Sequence, residues 1–148
     1  MPDKGDAIDA FSSELEQVDG VILFDGHCAF CRNVVGHLLQ VCSGDDLRVC
    51  SIRSARGEAA ARTMGWDPPS TFALLTRSGI YLGVEAYIQI LLLGSRSAWL
   101  GKLIAATPSS LSGGVYHWVA THRPFLSSLF GRGSHDAIPL DRYVAGGV

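Results

Sequence analysis

Hydrophobic positions recur with different periods along this chain, and each change of period marks an element. Residues 1–19 form a largely polar N-terminal tail in which Ile8, Phe11, Leu15 and Val18 recur at helical spacing, enough for a short docking helix. Val21-Ile22-Leu23-Phe24 then forms a continuous apolar run with branched and aromatic members, the pattern of a strand buried on both faces of a sheet. Asp25-Gly26-His27 breaks the run. From Cys28 to Val41 the apolar residues fall at Cys31, Val34, Val35, Leu38 and Leu39, with Cys42 next in line, which predicts a helix burying one stripe and ending at Ser43-Gly44.

Leu47 to Ile52 reads as a second strand, and Ser54 as the cap of a helix over Ala55 to Met64 that stops at Gly65. Asp67-Pro68-Pro69 is a hard break. Phe72 to Thr76 predicts a third strand, which Arg77-Ser78-Gly79 turns into a short fourth, Ile80 to Leu82, before a helix from Val84 to Leu93. The order is β-α-β-α-β-β-α. A crossover helix between the first two strands favours a parallel pair, and the tight turn favours an antiparallel hairpin. The predicted fold class is therefore α/β: a thioredoxin-like mixed four-stranded sheet flanked by helices over residues 20–95. Residues 96–148 read as a helical C-terminal extension packed on that core, with helices at Trp99–Ala106 and Gly114–His122 and a Gly-rich tail ending in Asp141-Arg142-Tyr143.

Composition narrows the function classes. The chain is 47% apolar and 18% charged, enough to bury a core without disulfide staples, so its four cysteines are available for chemistry. Its net charge is −2 and no Lys/Arg cluster marks a nucleic-acid footprint. There is neither a basic-then-apolar leader nor an apolar run near the ~20 residues a bilayer span requires, so a cytoplasmic location is expected. There, closely spaced cysteines are more often catalytic or metal-binding than structural. The apolar stretches Leu100–Ala106 and Val115–Ala120, with Trp99, Trp118 and Phe125, admit a partner or a membrane-surface contact; the simpler reading is a further layer on the sheet.

The chemistry concentrates in Cys28-Ala29-Phe30-Cys31. The first cysteine follows a buried strand and starts a helix, where free N–H groups and the macrodipole favour a thiolate and make the thiol more acidic than the ~8.5 of an ordinary cysteine. Cys28 is thus the expected nucleophile. Cys31, one turn on along the same face, is the expected resolving thiol. Asp25, at the strand end, is either a proton acceptor for the pair or the cap of the following turn. His27 favours the thiolate if it is protonated and near, but a side chain before a helix also points readily to solvent. Cys42 and Cys50 read as small buried hydrophobes. A zinc site built from Cys28, Cys31 and two of His27, His37, Cys42 and Cys50 is the competitor, although a second metal half-site is absent from the sequence. Arg48, Arg53 and Arg56, around the second strand, suit either an anion or a solvated face.

The segment Asp25-Gly26-His27-Cys28-Ala29-Phe30-Cys31, preceded by Leu23-Phe24, resembles the Asp-Gly-x-Cys-x-x-Cys signature of the DCC family, named for that Asp and those Cys. Gly79-Ile80-Tyr81 with Glu85-Ala86 is similar to the family's Gly-x-x-Tyr and acidic-Ala helix start. Tyr116-His117-Trp118-Val119-Ala120-Thr121-His122-Arg123 resembles its Tyr-x-x-x-Ala-x-x-Arg segment. The likeness implies a thioredoxin-like fold and a cofactor-free thiol–disulfide oxidoreductase. Its catalytic residues are Cys28, Cys31 and Asp25, its partners protein or small-molecule disulfides and an electron donor the sequence does not name. The alternative is a non-catalytic module whose Cys pair binds metal or docks a partner. Many family members carry a further Cys in the C-terminal tail; here none follows Cys50, and Val84 stands where Ser is common. Thioredoxin-like proteins place a cis-proline opposite the Cys pair. Pro69 is the candidate, with an ordinary trans proline as the other reading.

Overall fold

Strand β1 (Gly20–Phe24) is the centre of the sheet, and all five of its residues are buried, as a run of Val, Ile, Leu and Phe requires. The computed structural model describes residues 4–42, 47–66, 72–94, 98–130 and 138–148. On one side β1 pairs in parallel with β2 (Leu47–Ser51), in register from Gly20 against Leu47 to Phe24 against Ser51. On the other it pairs antiparallel with β3 (Ala73–Thr76), which forms a hairpin with β4 (Gly79–Leu82), giving the order β2-β1-β3-β4. The mixed four-stranded sheet is the predicted one.

Alternation along the strands divides the core into two layers. Ile22, Phe24, Val49 and Leu74 face α3 (Ala29–Val41) and α5 (Gly83–Leu93), which contribute Val35, Leu38, Leu39, Ala86, Ile90 and Leu91. Val21, Leu23, Cys50 and Leu75 face the other way. They are covered by Ala60 and Ala61 of α4 (Ala55–Thr63) and by the N-terminal segment. That segment forms two short helices, α1 (Lys4–Asp9) and α2 (Ser12–Leu15), and places Phe11, Leu15 and Val18 in the core, with Ile8 packed beside them. The apolar positions at helical spacing are thus part of the main core, because α4 alone does not cover that face of the sheet.

Arg56 fastens this layer. From α4 it makes a two-pronged ion pair with Glu14, at 2.5 and 2.8 Å, donates to the Ala10 carbonyl at 2.8 Å, and lies 4.6 Å over the Phe11 ring. It also donates to the Ala145 carbonyl, so both ends of the chain meet on one guanidinium. A solvated face was one reading of this arginine; the structure instead half-buries it, because the N-terminal helices dock across α4. The start of α4 is held just as firmly. Ser54 Oγ accepts from the Gly57 amide and donates to the Ser51 carbonyl at 2.7 Å, and any side chain at Gly57 would collide with that carbonyl.

After α5 come α6 (Ala98–Ala105), α7 (Ser109–Thr121) and α8 (Arg123–Phe130); the last was not among the expected helices, and Pro124 sits in its first turn, where the missing N–H costs nothing. Helix α6 packs on α5 through Gly101, and α8 packs on α3. Trp99, Trp118 and Phe125 remain exposed, so these three aromatics add no layer to the core. The tail is not loose. Val144 donates to Val49 at 3.0 Å, Ser51 donates to Gly147 at 2.7 Å, and Tyr143 pairs with Val49 in parallel, so the outer edge of β2 is capped.

Replacing Arg56 by Met is expected to lower stability at pH 7 by roughly 1–3 kcal/mol, for a partly buried ion pair with a cation–π contact. The Arg56 guanidinium holds the Glu14 carboxyl below its ordinary value, against the raising effect of burial. This part of the stabilisation is therefore complete above about pH 4.5 and fades as pH falls through the lowered value. Urea unfolding of both proteins at pH 7 and pH 3 checks it: the gap should narrow in acid.

Candidate functional site

The parallel pair β1–β2 ends at Phe24 and Ser51, and the segment from Asp25 to Cys31 hangs from that rim. Beyond Phe24 the chain turns through Asp25-Gly26-His27, with the Cys28 amide donating to the Asp25 carbonyl at 3.1 Å and the His27 amide to Asp25 Oδ1 at 3.0 Å. The turn lies against β2: a Cβ on Gly26 would stand 2.5 Å from Ser51 Oγ, so any side chain there would have to displace that hydroxyl. Arg32, from the first turns of α3, reaches back to donate to the Gly26 carbonyl.

Cys28, the predicted first residue of the helix, is instead the N-cap of α3, which begins one residue later, because its extended backbone (φ −85°, ψ 110°) directs Sγ over the free amides. The Cys31 amide donates to Cys28 Sγ at 3.3 Å, and the two sulfurs are 2.7 Å apart. Both are half-buried thiols. No acidic residue stands in the first turn of α3 to oppose negative charge on that sulfur. A ~2.05 Å disulfide is within a sub-ångström adjustment of this contact.

Asp25 is 7% exposed, and its carboxylate is occupied from two sides. Besides the His27 amide it accepts from Arg53 Nε at 3.2 Å and Nη2 at 3.3 Å, a bidentate pair. Hydrogen bonding to Asp25 raises Arg53 above its ordinary value, with the charge attraction adding to it. The turn-cap reading of Asp25 is thus realised in the geometry, together with an ion pair. Arg53 read as an anion site or a solvated face; it is the partner of Asp25. The signal was in the register: two residues past the end of β2, it follows a strand whose end lies beside the end of β1.

The other candidates are not gathered here. His27 is exposed, and only its main chain touches Asp25. Cys42 donates to the Ile90 carbonyl at 3.3 Å in the α3–α5 layer, while Cys50 lies in the opposite layer beside Ser54. His37 is exposed on α3. The four-ligand zinc set is therefore split between two faces of the sheet, and among the described residues no group of three or more His, Cys, Asp or Glu could hold a metal. Pro69 lies outside the described residues, as do the side chains of Tyr116 and Arg123. Tyr143 was read only as the end of the tail. Its ring packs 6.3 Å from Phe24, and burial pushes its hydroxyl up while the nearby Arg32 charge opposes that.

A four-stranded thioredoxin-like sheet with a dithiol at the N-terminus of the helix after its central strand defines a redox class of protein. The family model of DCC1-like thiol-disulfide oxidoreductases matches residues 22–129, and the chain belongs to that family. Membership assigns it to thiol–disulfide redox chemistry in general. No curated protein and no solved structure matches the chain.

Mild oxidation is expected to join Cys28 to Cys31 and leave Cys42 and Cys50 as thiols. Burial pushes the Cys50 thiol up, so it should also resist alkylation in the native state. Mass spectrometry after differential alkylation reads both; a Cys42 or Cys50 disulfide would contradict the geometry.

Proposed function

We propose that this chain is a dithiol–disulfide oxidoreductase in which Cys28 attacks and Cys31 resolves. The observation that carries the reading is the 2.7 Å sulfur contact at a helix cap whose first turn has no acidic residue. The Cys28 thiolate attacks one sulfur of a substrate disulfide. A mixed disulfide forms, and the other substrate sulfur leaves as a thiolate that takes a proton from solvent. Cys31 then gives its proton to Asp25 and attacks Cys28 Sγ. The Cys28–Cys31 bond forms, and the second substrate sulfur leaves and is protonated. Substrate gains two electrons; the enzyme dithiol loses them and is restored by a donor dithiol. Substrates are protein or small-molecule disulfides, and the reducing poise of a cytoplasmic location favours this direction.

Arg53 governs when Asp25 is able to act. While the guanidinium is bound, the carboxylate is engaged; the Arg53 side chain is 52% exposed, so it can swing into solvent and release it. Arg53 is in this reading a positioning residue. It holds Asp25 at the rim and leaves when the proton moves.

Cys28→Ser is expected to reduce an insulin-type disulfide no faster than background, and Cys31→Ser to accumulate mixed disulfides visible as a mass increase. If both variants match the parent, the redox reading fails and a docking or metal-binding module takes its place.

Asp25→Asn should slow the resolving step roughly 10²-fold, the usual loss of one general base. Arg53→Met removes the cation beside Asp25, so the carboxyl protonates more readily and the acid limb of that step moves to higher pH. Rapid-quench rates from pH 4 to 8 distinguish the roles: an unmoved limb in Arg53→Met with a normal rate in Asp25→Asn leaves Asp25 as a turn cap only.

A further inference from the structure

The distribution of charge along this chain is uneven in a way the redox site does not use. Between Glu85 and Asp136 the sequence holds no acidic residue and four basic ones, Arg96, Lys102, Arg123 and Arg132. The remaining 98 residues carry all 14 acidic groups and eight basic ones. A chain of net charge −2 thus has a cationic third, and that third contains α6, α7 and α8.

The same helices turn apolar side chains outward. On α6 the buried side is Gly101, set against Leu92 of α5, with Leu100 and Ile104 packed beside it. The opposite side presents Trp99, Leu103 and Lys102 to solvent. On α7, Leu111, Val115 and Trp118 follow one another at i, i+4 and i+7, a single stripe, and all three are more than half exposed. His122 extends the stripe, its ring stacked on Trp118 at 4.5 Å. Phe125 at the start of α8 is equally exposed. Amphipathic helices of a globular domain point such a stripe at the core. Here the core is closed beneath α5 and α3, and the stripe faces outward.

We propose that α6–α8 form a docking face for an anionic lipid bilayer. Two features select that occupant. Tryptophan with leucine and phenylalanine is the composition that settles at the boundary between headgroups and acyl chains. Lys102 stands exposed beside Trp99 and Leu103, and the sequence from 86 to 135 holds three further basic residues and no carboxylate, a balance that complements anionic headgroups through an attraction that salt screens. The contact is peripheral: no helix among the described residues is long and apolar enough to cross a membrane. It is independent of the redox reading, since neither Cys28 nor Cys31 takes part.

The test uses the full chain with large unilamellar vesicles of equal parts phosphatidylcholine and phosphatidylglycerol, and with phosphatidylcholine alone. Co-sedimentation is expected on the mixed vesicles, at least tenfold weaker on phosphatidylcholine, and reduced severalfold by 0.5 M salt. Brominated acyl chains should quench tryptophan fluorescence through Trp99 and Trp118, Trp66 being buried. The double variant Trp99→Ser/Trp118→Ser should lose binding at least tenfold, and Lys102→Glu severalfold, with disulfide reduction in solution unchanged in both. No co-sedimentation, equal binding to both vesicle types, or variants that bind like the parent would overturn the proposal. So would a parent dimer in sedimentation velocity that Trp118→Ser dissociates without any vesicle binding, which would make the face a contact between copies.

Discussion

Burying β1 on both faces is the constraint from which the rest of the structure follows. A strand with Val, Ile, Leu and Phe in succession has no side to offer water, so it must be central and both layers must be covered. Its polar sequel, Asp25-Gly26-His27, can only emerge at the rim. The helix that returns over the sheet therefore begins there, and its free amides point at whatever residue caps it. That residue is Cys28. The chemistry of the site is in this sense a consequence of the strand: the same run that builds the core delivers a sulfur to the positive end of a helix.

The demand for cover also explains why the chain needs both of its ends. Helix α4 presents Ala60 and Ala61, too small to close their face of the sheet, so Phe11 and Leu15 are brought over it and locked by Arg56. Strand β2 is an edge, and its unpaired groups would invite another strand. The residues from Tyr143 to Gly147 occupy that edge instead, and Arg56 reaches Ala145 as well as Glu14. One side chain thus couples the cover of a face to the cover of an edge.

Much of this was legible in the sequence, and the parts that were not share a cause. Val21–Phe24, the stripe from Val35 to Leu39 and the Ser54 cap are local patterns whose period or chemistry names the element directly. The dithiol was legible for the same reason, since i, i+3 on one helix fixes the spacing of two sulfurs. Asp25 with Arg53, Glu14 with Arg56 and Tyr143 with Val49 are contacts across 28, 42 and 94 residues, and no window of sequence contains both members. Only the strand register brings Arg53 to Asp25. A charged residue taken alone reads as solvated, because most are; the pairing is a property of the fold. Helix α8 was not expected: it follows directly on the end of α7 and carries Pro124 in its first turn, where a proline's missing N–H costs nothing.

The tail contributes more than an edge cap, because Tyr143 returns to the reactive rim. Tyr143 joins β2 through Val49 and lays its ring toward Phe24, the last residue before the Asp25 turn. Arg32, one residue after Cys31, bonds the carbonyl of Gly26 in that turn and lies close enough for its charge to act on the Tyr143 hydroxyl. The turn is consequently held from three directions: by Ser51 beneath Gly26, by Arg53 on the Asp25 carboxylate, and by Arg32 on the Gly26 carbonyl. Two of these anchors are guanidinium groups, one of them neutralised by the Asp25 carboxylate it holds. At the cap of α3 the Cys28 sulfur accepts from the Cys31 amide, while the carboxylate of the adjoining turn is paired with Arg53. The contacts that hold the turn therefore also fix where Cys28 stands at the cap of α3, and the shape of the rim and the position of its sulfur are set together.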